Sequence, residues 1–408
     1  LRMIGETDED KRIRFQSDIA SFDNARKVYG GGAIRLRQAR AVESRQAEEA
    51  RFTEWVKKDA ARTQKYGTLL ADIAAATTAA NVHAKRDILV RRFPDGSMPV
   101  MMQFLAAAAN TKMLSDAEKA AKQTQIAEAL KDREPAYEAE MIKFYLRQFA
   151  GLPEGQKFQP IEDLFKDKSG SARRAAEAAF AERVATGEFS NAEALTALYG
   201  PRTMDYREGR DDVLGVANAI GKERTAAAAR AAEFAQKIDR LRLLYLQGMS
   251  EMKGITPYPD ANSSLRFTFG NIKGYSPREA EYRSPFTTIK GMLEKETGVD
   301  PWDIPQKLKD LNAAKDFGRY GEGDSVVVNF ISDTDIIGGN SGSPILNANG
   351  EQVGICFDGN YEGLGNDMFF DPNHNRTISV DIRYVLWVTE KFGDSKWVVD
   401  EMKLVGKK

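Results

Sequence analysis

The hydrophobic pattern of this 408-residue chain changes period once, between Gly254 and Asp260, and this change limits the folds that the chain can adopt. From about residue 11 to 253, apolar side chains recur every three or four positions, among many residues that favour helices. That spacing and composition predict helices. After residue 260, apolar and polar residues alternate, which predicts strands. The sequence therefore predicts a multidomain α and β protein, with an all-α domain at residues 1–255 and a β domain at 256–408.

Glycine, proline and capping residues divide the first region into separate predicted helices. The breakers fall at residues 30–32 (three successive glycines), 94–96, 151–153, 169–170 and 200–201. We expect helices near 33–62, 69–90, 97–110, 115–131, 134–149, 171–187, 190–199 and 210–250. Two of these starts have the spacing of a capping box, with Ser115 before Glu118 and Ser190 before Glu193.

The second region predicts a β domain that ends in helices. We expect strands at residues 265–269, 326–330, 353–357, 368–370 and 377–380. Turn residues separate these runs, as in the Asn-Ala-Asn-Gly segment at 347–350. Helical periodicity then returns at residues 382–392 and 397–404.

Residues 338–344 read Gly-Gly-Asn-Ser-Gly-Ser-Pro and lie between two short apolar segments. Chymotrypsin-like proteases present their nucleophilic serine in a glycine-flanked turn of this kind. Glycines allow the backbone to fold so that the N–H groups of Gly339 and Ser341 both point at a developing oxyanion. The motif therefore predicts that Ser341 is a nucleophile and that Gly339 contributes to its oxyanion hole. An ordinary β-turn is the alternative interpretation.

A serine nucleophile needs a general base, nearly always a histidine that a carboxylate orients. The chain contains only two histidines. His83 lies on a predicted helix with basic neighbours, and His374 lies in a polar turn that follows Ser341. We interpret the first as a helix-surface residue and the second as a solvated turn residue. The base is therefore expected from sequence before residue 1, and this chain alone is predicted to be inactive.

The bulk composition excludes several classes of partner and cofactor. The chain has 59 basic and 60 acidic side chains, so no global field favours nucleic acid or an anionic membrane. It has no uninterrupted apolar stretch of about 18 residues, so no membrane span is expected. Cys356 is the only cysteine, and we interpret it as a small buried strand residue. Because two histidines and one cysteine are poor material for a zinc site, we predict no structural zinc.

The β region resembles bacterial dipeptidyl peptidases of the dipeptidyl peptidase 7, dipeptidyl peptidase 11 and dipeptidyl aminopeptidase BII type. The similar stretches are residues 258–262, 265–270, 274–275, 286–288, 338–344, 357–360 and 380–386, with residues 23–30 in the helical region. In that family a helical domain interrupts a chymotrypsin-like double β-barrel and caps the active-site cleft. The resemblance implies that residues 1–255 are this helical cap. It also implies that residues 256–408 form the second, antiparallel barrel and end in helices.

The resemblance also assigns roles to individual residues. Ser341 matches the nucleophile, and Gly339 matches an oxyanion-hole amide. Asp358 and Asn24 match residues that bind the free α-amino group of the substrate; without the family, Asp358 would be interpreted as a turn-capping residue. Family members that prefer an acidic side chain before the cleaved bond carry Arg at the position of Gly359, whereas those that prefer hydrophobic side chains carry Gly. The implied reaction is release of N-terminal dipeptides whose second residue is hydrophobic or aromatic.

The same resemblance sets expectations for a longer parent protein. Residue 1 is Leu rather than Met, and the family's triad His and Asp belong to a first barrel that has no counterpart here. We expect a parent with a signal peptide, located in the periplasm or on the cell surface of a Gram-negative bacterium. Its expected partners are a peptide with a free N-terminus and a second copy in a homodimer, and the resemblance implies that it needs no cofactor or metal. A glutamyl-endopeptidase or HtrA-like serine endopeptidase and a non-catalytic protease-like scaffold remain as alternatives.

Overall fold

The structure, a computed structural model, describes residue 5 and residues 8–93, 100–111, 113–200, 211–256, 265–299 and 302–406. Contacts divide the chain into two compact units. The β-rich unit comprises residues 1–50 and 256–408, and the helical unit comprises residues 51–255. Residues 94–96, 201 and 257–262, on which parts of the predicted breaks, domain boundary and family resemblance fall, lie outside the described residues.

Helices dominate the described part of the chain up to residue 253. They are α1 (Glu9–Gln38), α2 (Ala41–Lys57), α3 (Ala60–Tyr66), α4 (Leu69–Asn81), α5 (Ala84–Arg92), α6 (Val100–Asn110), α7 (Asp116–Lys131), α8 (Pro135–Ala150), α9 (Gln159–Phe165), α10 (Gly170–Thr186), α11 (Ala192–Ala197) and α12 (Asp212–Lys253). The single helix predicted at residues 33–62 is wrong. Arg40 adopts a φ of 50° between α1 and α2, and Asp59 caps a new helix by accepting the N–H of Arg62 at 2.8 Å.

The starts of α7 and α11 follow capping chemistry. The capping box at Ser115 is confirmed, because its hydroxyl accepts the N–H of Glu118 and that carboxylate accepts the N–H of Ser115 at 2.8 Å. At α11 the capping residue is Asn191, whose side chain accepts the N–H of Ala194 at 2.9 Å. The prediction of a Ser190 cap is therefore wrong by one residue. Asparagine and serine cap helices about equally well, so composition alone does not choose between them.

The helical unit is organised around α12, which is 42 residues long and packs against α4, α5 and α6. Its first half enters an apolar core in which Leu105, Phe149 and Ala217 are fully buried. Its second half contributes Met249 to a smaller cluster with Phe52. Burial of one apolar face along α12 explains the regular three- and four-residue spacing of the sequence.

The three glycines at residues 30–32 do not break a helix, contrary to the prediction, but lie inside α1. A Cβ atom at Gly31 would lie 2.4 Å from Leu364 Cδ1, and one at Gly32 would lie 3.6 Å from the backbone nitrogen of Gly365. Gly31 thus allows the segment at 361–365 to approach the helix closely, whereas a Cβ atom at Gly32 would make an ordinary van der Waals contact and one at Gly30 would meet no atom within 4 Å. Packing at Gly31 offsets a helix-propensity cost of about 1 kcal/mol.

The described part of the β-rich unit contains a five-stranded antiparallel sheet. Its strands are β1 (Phe286–Thr288), β2 (Val327–Ser332), β3 (Pro344–Leu346), β4 (Gln352–Gly359) and β5 (Thr377–Asp381), and their spatial order is β1-β2-β5-β4-β3. The strands predicted at 326–330, 353–357 and 377–380 are confirmed as β2, β4 and β5. On β2 the side chain of Val328 faces a core that it shares with Trp387. Cys356 on β4 is buried and unpaired, as predicted.

Two other predicted strands are wrong. Residues 265–269 are not part of a strand, and the side chains of Phe267 and Phe269 are 79% and 94% exposed. Residues 368–370 begin in a turn, where the N–H groups of Met368 and Phe369 both donate to Gly365 O at 3.0 Å. Alternation indicates a strand only where a neighbouring strand can complete the hydrogen-bonded ladder.

The β-rich unit also contains short helices near its C-terminus and between its strands. They are α13 (Ile289–Leu293), α14 (Gln306–Ala313), α15 (Ile382–Trp387), a π-helical turn (Val388–Phe392) and α16 (Lys396–Asp400). Helical structure at 382–392 is therefore confirmed, and the helix expected at 397–404 is shorter than predicted. Trp387 is fully buried, and its Nε1–H donates to Asp316 O at 2.9 Å. No helix within the described ranges is long and apolar enough to span a membrane.

The first 50 residues group with the β-rich unit, whereas the sequence placed all of residues 1–255 in one helical domain. In α1, Arg35 pairs with Asp371 at 2.5 Å. In α2, Arg45 donates to Met368 O at 3.1 Å. These contacts join positions 336 and 323 residues apart. Helical periodicity reveals that a segment is a helix but not the unit with which it packs.

Candidate active site

Ser341 lies in a tight turn between β2 and β3 that its neighbour Asn340 holds in shape. Asn340 Oδ1 accepts the N–H of Ile337 at 3.0 Å, and the carbonyl oxygen of Asn340 accepts the N–H of Ser343 at 3.0 Å. One residue therefore fixes the backbone on both sides of the serine. Ser341 itself remains exposed.

The turn is also bonded to β4 of the sheet. Gly342 N–H donates to Cys356 O at 2.8 Å, and Cys356 N–H donates back to Ser343 O at 2.9 Å. The hydroxyl of Ser341 donates to Phe357 O at 3.2 Å. Burial raises the pKa of the Cys356 thiol, and the charge of Asp358 raises it further, so this residue is suited to a structural role. The serine is thus presented on a loop that a rigid element positions, as a precise site requires.

The glycines on the two sides of Ser341 have left-handed backbone conformations. Gly339 and Gly342 have φ angles of +98° and +87°, a region that favours glycine. The N–H groups of Gly339 and Ser341 have no acceptor within the described ranges. These are the two amides predicted to form the hole. Two unpaired donors beside an exposed hydroxyl can stabilise the negative charge that develops on a carbonyl oxygen when the hydroxyl attacks the carbonyl carbon.

A cavity of about 610 Å³ lies in front of the turn. Its lining includes Ser341, Asp358, Gly359 and Asn24, which are four of the five residues predicted from the sequence to form the site. The fifth, Gly339, lies between the cavity-lining Gly338 and the turn of Ser341. All belong to the β-rich unit. The structure therefore brings Asn24, which lies in the first helix, together with Ser341 and Asp358, which lie in the second half of the sequence.

Asp358 enters the cavity at an irregularity of the sheet. The register of β4 against β5 shifts between Cys356 and Asp358, so that Phe357 forms a bulge. Bulges redirect side chains beside functional sites. Asp358 is exposed, and its Oδ1 accepts the N–H of Gly359 at 2.8 Å. This bond matches the turn-capping interpretation, but it leaves the second carboxylate oxygen of Asp358 open to the cavity.

Gly359 is not required by the backbone. Its φ is outside the left-handed region, and a Cβ atom built there would meet only Arg376 O, at an ordinary van der Waals distance of 3.9 Å. A side chain would therefore fit at this position. The missing side chain leaves cavity volume beside Asp358.

One face of α1 forms a wall of the cavity. The residues Asn24, Val28, Gly32 and Leu36 recur every four positions and therefore lie on one side of the helix. Gly32 packs against the 361–365 segment. Asn24 lies two helical turns further toward the N-terminus, and its exposed amide has no partner in the described part of the chain. Asn24 thus gives α1 an unpaired polar side chain beyond the part of the helix that packs against the 361–365 segment.

Three charged or ionisable groups anchor α1 to the loop before β5. Arg35 donates to Asp371 Oδ2 at 2.5 Å, and His374 Nδ1 lies 2.7 Å from the same oxygen. His374 is therefore not the solvated turn residue that we expected. Burial tends to raise the pKa of Asp371, but the hydrogen bonds from His374 and Asn373 and the charges of His374 and Arg35 lower it overall. The carboxylate remains ionised at neutral pH, and its stabilising contribution is lost only as the pH falls through this lowered pKa.

We expect Arg35→Met to weaken the attachment of α1. The Arg35 and Asp371 side chains are only 14% and 17% exposed, so loss of the guanidinium leaves a poorly solvated carboxylate. Protection of the α1 amides against hydrogen exchange should fall about tenfold, or ~1.4 kcal/mol, in the 408-residue chain. Arg26→Met is the matched control, because Arg26 is 78% exposed on the same helix. Equal protection in the two variants would contradict this role of Arg35.

Arg376 and Asn360 also shape the cavity, although neither was predicted from the sequence as a site residue. Arg376 is only 3% exposed, and its guanidinium donates to four backbone carbonyl oxygens, those of Lys273, Gly274, Pro372 and Asn375, at 2.7–3.1 Å. Asn360 Oδ1 accepts the N–H of Arg376 at 2.8 Å, and Asn360 N–H donates to Arg376 O at 2.9 Å. Carbonyl partners leave no motif in a sequence, because any residue type can supply them. These two residues therefore could not have been found from residue identities.

Neither histidine is among the described residues that line the cavity of Ser341. His374 is bonded to Asp371, and His83 immediately precedes α5 in the helical unit. The described part of this chain thus offers a candidate nucleophile, candidate oxyanion donors and polar groups, but no histidine in the cavity lining.

Comparison with known proteins places this arrangement in a family of serine peptidases. The chain matches peptidase S46 over residues 1–404 and belongs to that family. It is 30% identical over 423 residues to the dipeptidyl-peptidase 7 of Capnocytophaga gingivalis, with 99% of this chain and 57% of that protein covered. It is 46% identical over 170 residues to an Asp/Glu-specific dipeptidyl-peptidase of Porphyromonas gingivalis, with 41% of this chain and 24% of that protein covered.

A solved structure shares the fold. DPP11 of Porphyromonas endodontalis, in complex with the dipeptide Arg-Glu, matches with a TM-score of 0.75 and 26% identity, over 97% of this chain and 57% of that chain. The helical region followed by an antiparallel sheet is thus common to both proteins. The chain spans little more than half the length of the relatives that it matches throughout.

Proposed function

We propose that this chain is the larger part of a serine-type dipeptidyl peptidase, which releases dipeptides from the free N-terminus of a peptide. The observation that carries the proposal is that Ser341, Asp358 and Asn24 line a single cavity. An aminopeptidase that releases a product of fixed length needs a nucleophile and, at a set distance from it, acceptors for the substrate ammonium group. Ser341 is the proposed nucleophile, and Asp358 and Asn24 are the proposed acceptors.

Recognition of the substrate N-terminus follows from the chemistry of these acceptors. The Asp358 carboxylate can accept a charge-assisted hydrogen bond from the α-ammonium group, and the Asn24 amide oxygen can accept another. When the α-ammonium group is held at a fixed distance from Ser341 Oγ, only one peptide bond of the substrate lies within reach of the nucleophile. In this proposal that bond follows the second residue.

The proposed reaction proceeds through an acyl-enzyme. Ser341 Oγ attacks the carbonyl carbon of the second residue, and the N–H groups of Gly339 and Ser341 stabilise the oxyanion. Collapse of this intermediate breaks the peptide bond, and the released amine takes a proton; water then hydrolyses the ester. We place the His that transfers these protons, and the Asp that orients it, outside this chain, on the first barrel of a chymotrypsin-like pair. The 408-residue chain alone is then inactive.

We further propose that the second residue of the substrate is hydrophobic or aromatic. The support is Gly359, which leaves open volume beside Asp358 where the family's acid-preferring members carry Arg. The relatives named above include both a dipeptidyl-peptidase 7 and an Asp/Glu-specific enzyme, so family membership does not decide between the two preferences. A periplasmic or cell-surface location and a homodimer complete the proposal for the parent protein.

Blocking the substrate N-terminus tests the central claim. We expect the complete protein to cleave a fluorogenic Met-Leu substrate, and N-acetylation to lower its kcat/KM by about 100-fold or more, because the charge-assisted bonds to Asp358 and Asn24 are lost. The acetylated substrate is matched in length and side chains. Equal cleavage of both substrates, with cleavage inside long peptides, would indicate a serine endopeptidase. Cleavage of neither by the complete protein would favour a non-catalytic scaffold.

A further inference from the structure

A second carboxylate, which the proposed reaction does not use, lines the same cavity. Asp367 is exposed and faces the cavity that contains Ser341 and Asp358. Within the described ranges its side chain makes no hydrogen bond and no ion pair. By contrast, the carboxylate of Asp358 already accepts the N–H of Gly359. A carboxylate that remains unpaired on the wall of a substrate cavity is available to a cationic group of the substrate.

The backbone around Asp367 is well anchored, so its position is defined. The side-chain amide of Asn366 donates to Ile336 O at 2.6 Å. On the other side, Met368 N–H donates to Gly365 O at 3.0 Å, and Met368 O accepts from Arg45 at 3.1 Å. Hydrogen bonds on both sides hold the residue at the cavity wall, which reduces the entropy lost when a ligand pairs with it.

The other charged groups of the cavity do not neutralise Asp367. The lining contains one cation, Arg376, within the part of the chain that the structure describes. Its guanidinium is buried and bonded to four carbonyl oxygens. Two carboxylates against one guanidinium leave the described lining with one net negative charge, and carbonyl oxygens rather than either carboxylate hold the guanidinium. An α-ammonium group pairs with one of these carboxylates and leaves the other for a second cation.

Contacts with α1 indicate which substrate residue would carry this second cation. Gly365, two positions before Asp367, packs against Gly32. Gly32 lies on the same face of α1 as Asn24, which binds the substrate α-amino group in the proposed function. The side chain of the substrate's first residue branches from the carbon that bears this amino group. A lysine or arginine side chain on this first residue is long enough to extend from Asn24 along the same face of α1 toward the 363–368 segment, two helical turns away.

We propose that Asp367 is a specificity-determining residue that favours substrates whose N-terminal residue carries a cationic side chain, lysine or arginine. This inference rests on the proposed function, because it assigns a subsite of the same cavity. It adds a charge preference at the first substrate residue, independent of the preference that Gly359 sets at the second. The preferred substrates are thus peptides that begin with a basic residue followed by a hydrophobic one.

The test compares fluorogenic Lys-Leu and norleucine-Leu substrates, which differ mainly in the terminal ammonium group. In the complete protein, Asp367→Asn should lower the Lys-to-norleucine ratio of kcat/KM about fivefold, as expected for a partly solvated ion pair. For each protein, kcat/KM with norleucine-Leu is the reference in this ratio. At about 1 M salt, where the screening length is roughly 3 Å, the native enzyme should lose most of the same preference and the variant should not change.

Glu401→Gln is the matched control, because it removes an exposed carboxylate of the same unit that does not line the cavity. An unchanged ratio in Asp367→Asn, with normal norleucine-Leu cleavage, would overturn the role of Asp367 and leave the dipeptidyl peptidase intact. If Asp367→Asn changed only the preference for norleucine-Lys over norleucine-Leu, the assignment of Asp367 to the first substrate residue would be overturned. Absence of cleavage of every dipeptide substrate by the native protein would instead overturn the proposed function on which the inference rests.

Discussion

Replacement of Ser341 by alanine should lower the kcat of the complete protein by about 10⁴-fold or more with dipeptide substrates. The hydroxyl is exposed in a turn whose backbone is held by Asn340 and by bonds to β4, so alanine removes the nucleophile without changing the turn. The oxyanion amides and Asp358 remain in place, and binding of a product dipeptide should therefore be retained. Steady-state kinetics and isothermal titration of the product measure the two effects separately.

Ser343→Ala is the control for this experiment. Ser343 lies in the same turn, and its bonds to Asn340 and Cys356 use backbone atoms that alanine preserves. We expect near-native kinetics from this variant. A Ser341→Ala protein that keeps more than a tenth of the native activity would show that the nucleophile lies elsewhere. The isolated 408-residue chain should be inactive with either residue at position 341, because no base lies at the serine within its described ranges.

The local chemistry of the β-rich unit was readable from the sequence because its determinants are residue types at short spacing. β5 alternates apolar and polar side chains, β2 and β4 contain short apolar runs, and the glycines at 339 and 342 mark a turn with positive φ angles. The family resemblance added Asp358 and Asn24, and the structure places both on the cavity with Ser341. The proposed roles of Ser341, Asp358 and Asn24 stay predictions, which the Ser341→Ala variant and the N-acetylated substrate test.

Long-range packing was not readable in the same way. The glycines of α1 looked like helix breakers, because the 361–365 segment, which explains the glycine at Gly31, lies more than 300 positions later. Residues 265–269 alternate like a strand but have no strand partner in the described part of the chain. Arg376 and Asn360 are bonded mainly to backbone atoms, whose identity no sequence motif records. These three misses arose where the deciding partner was distant in sequence, absent or main chain.

Gly359→Arg should reverse the preference at the second substrate residue. In the complete native protein we expect Leu, Phe or Tyr to be preferred there over Asp or Glu, because the open volume beside Asp358 suits apolar groups. An arginine at 359 supplies a bidentate partner for a substrate carboxylate and fills part of that volume. The ratio of kcat/KM for Met-Glu against Met-Leu substrates should rise by about 100-fold, since a charge-assisted pair forms as apolar space is lost.

The structure makes this substitution a test of specificity rather than of folding. A Cβ atom at 359 would meet only Arg376 O at 3.9 Å, and the backbone does not need glycine there. Gly359→Ala is the steric control and should keep the hydrophobic preference. A new guanidinium could instead pair with the neighbouring Asp358; both substrates would then lose activity equally, because the α-ammonium group would lose its partner. That outcome, or a native enzyme that already prefers Met-Glu, would reject Gly359 as the source of a hydrophobic preference while leaving the role of Ser341 unaffected.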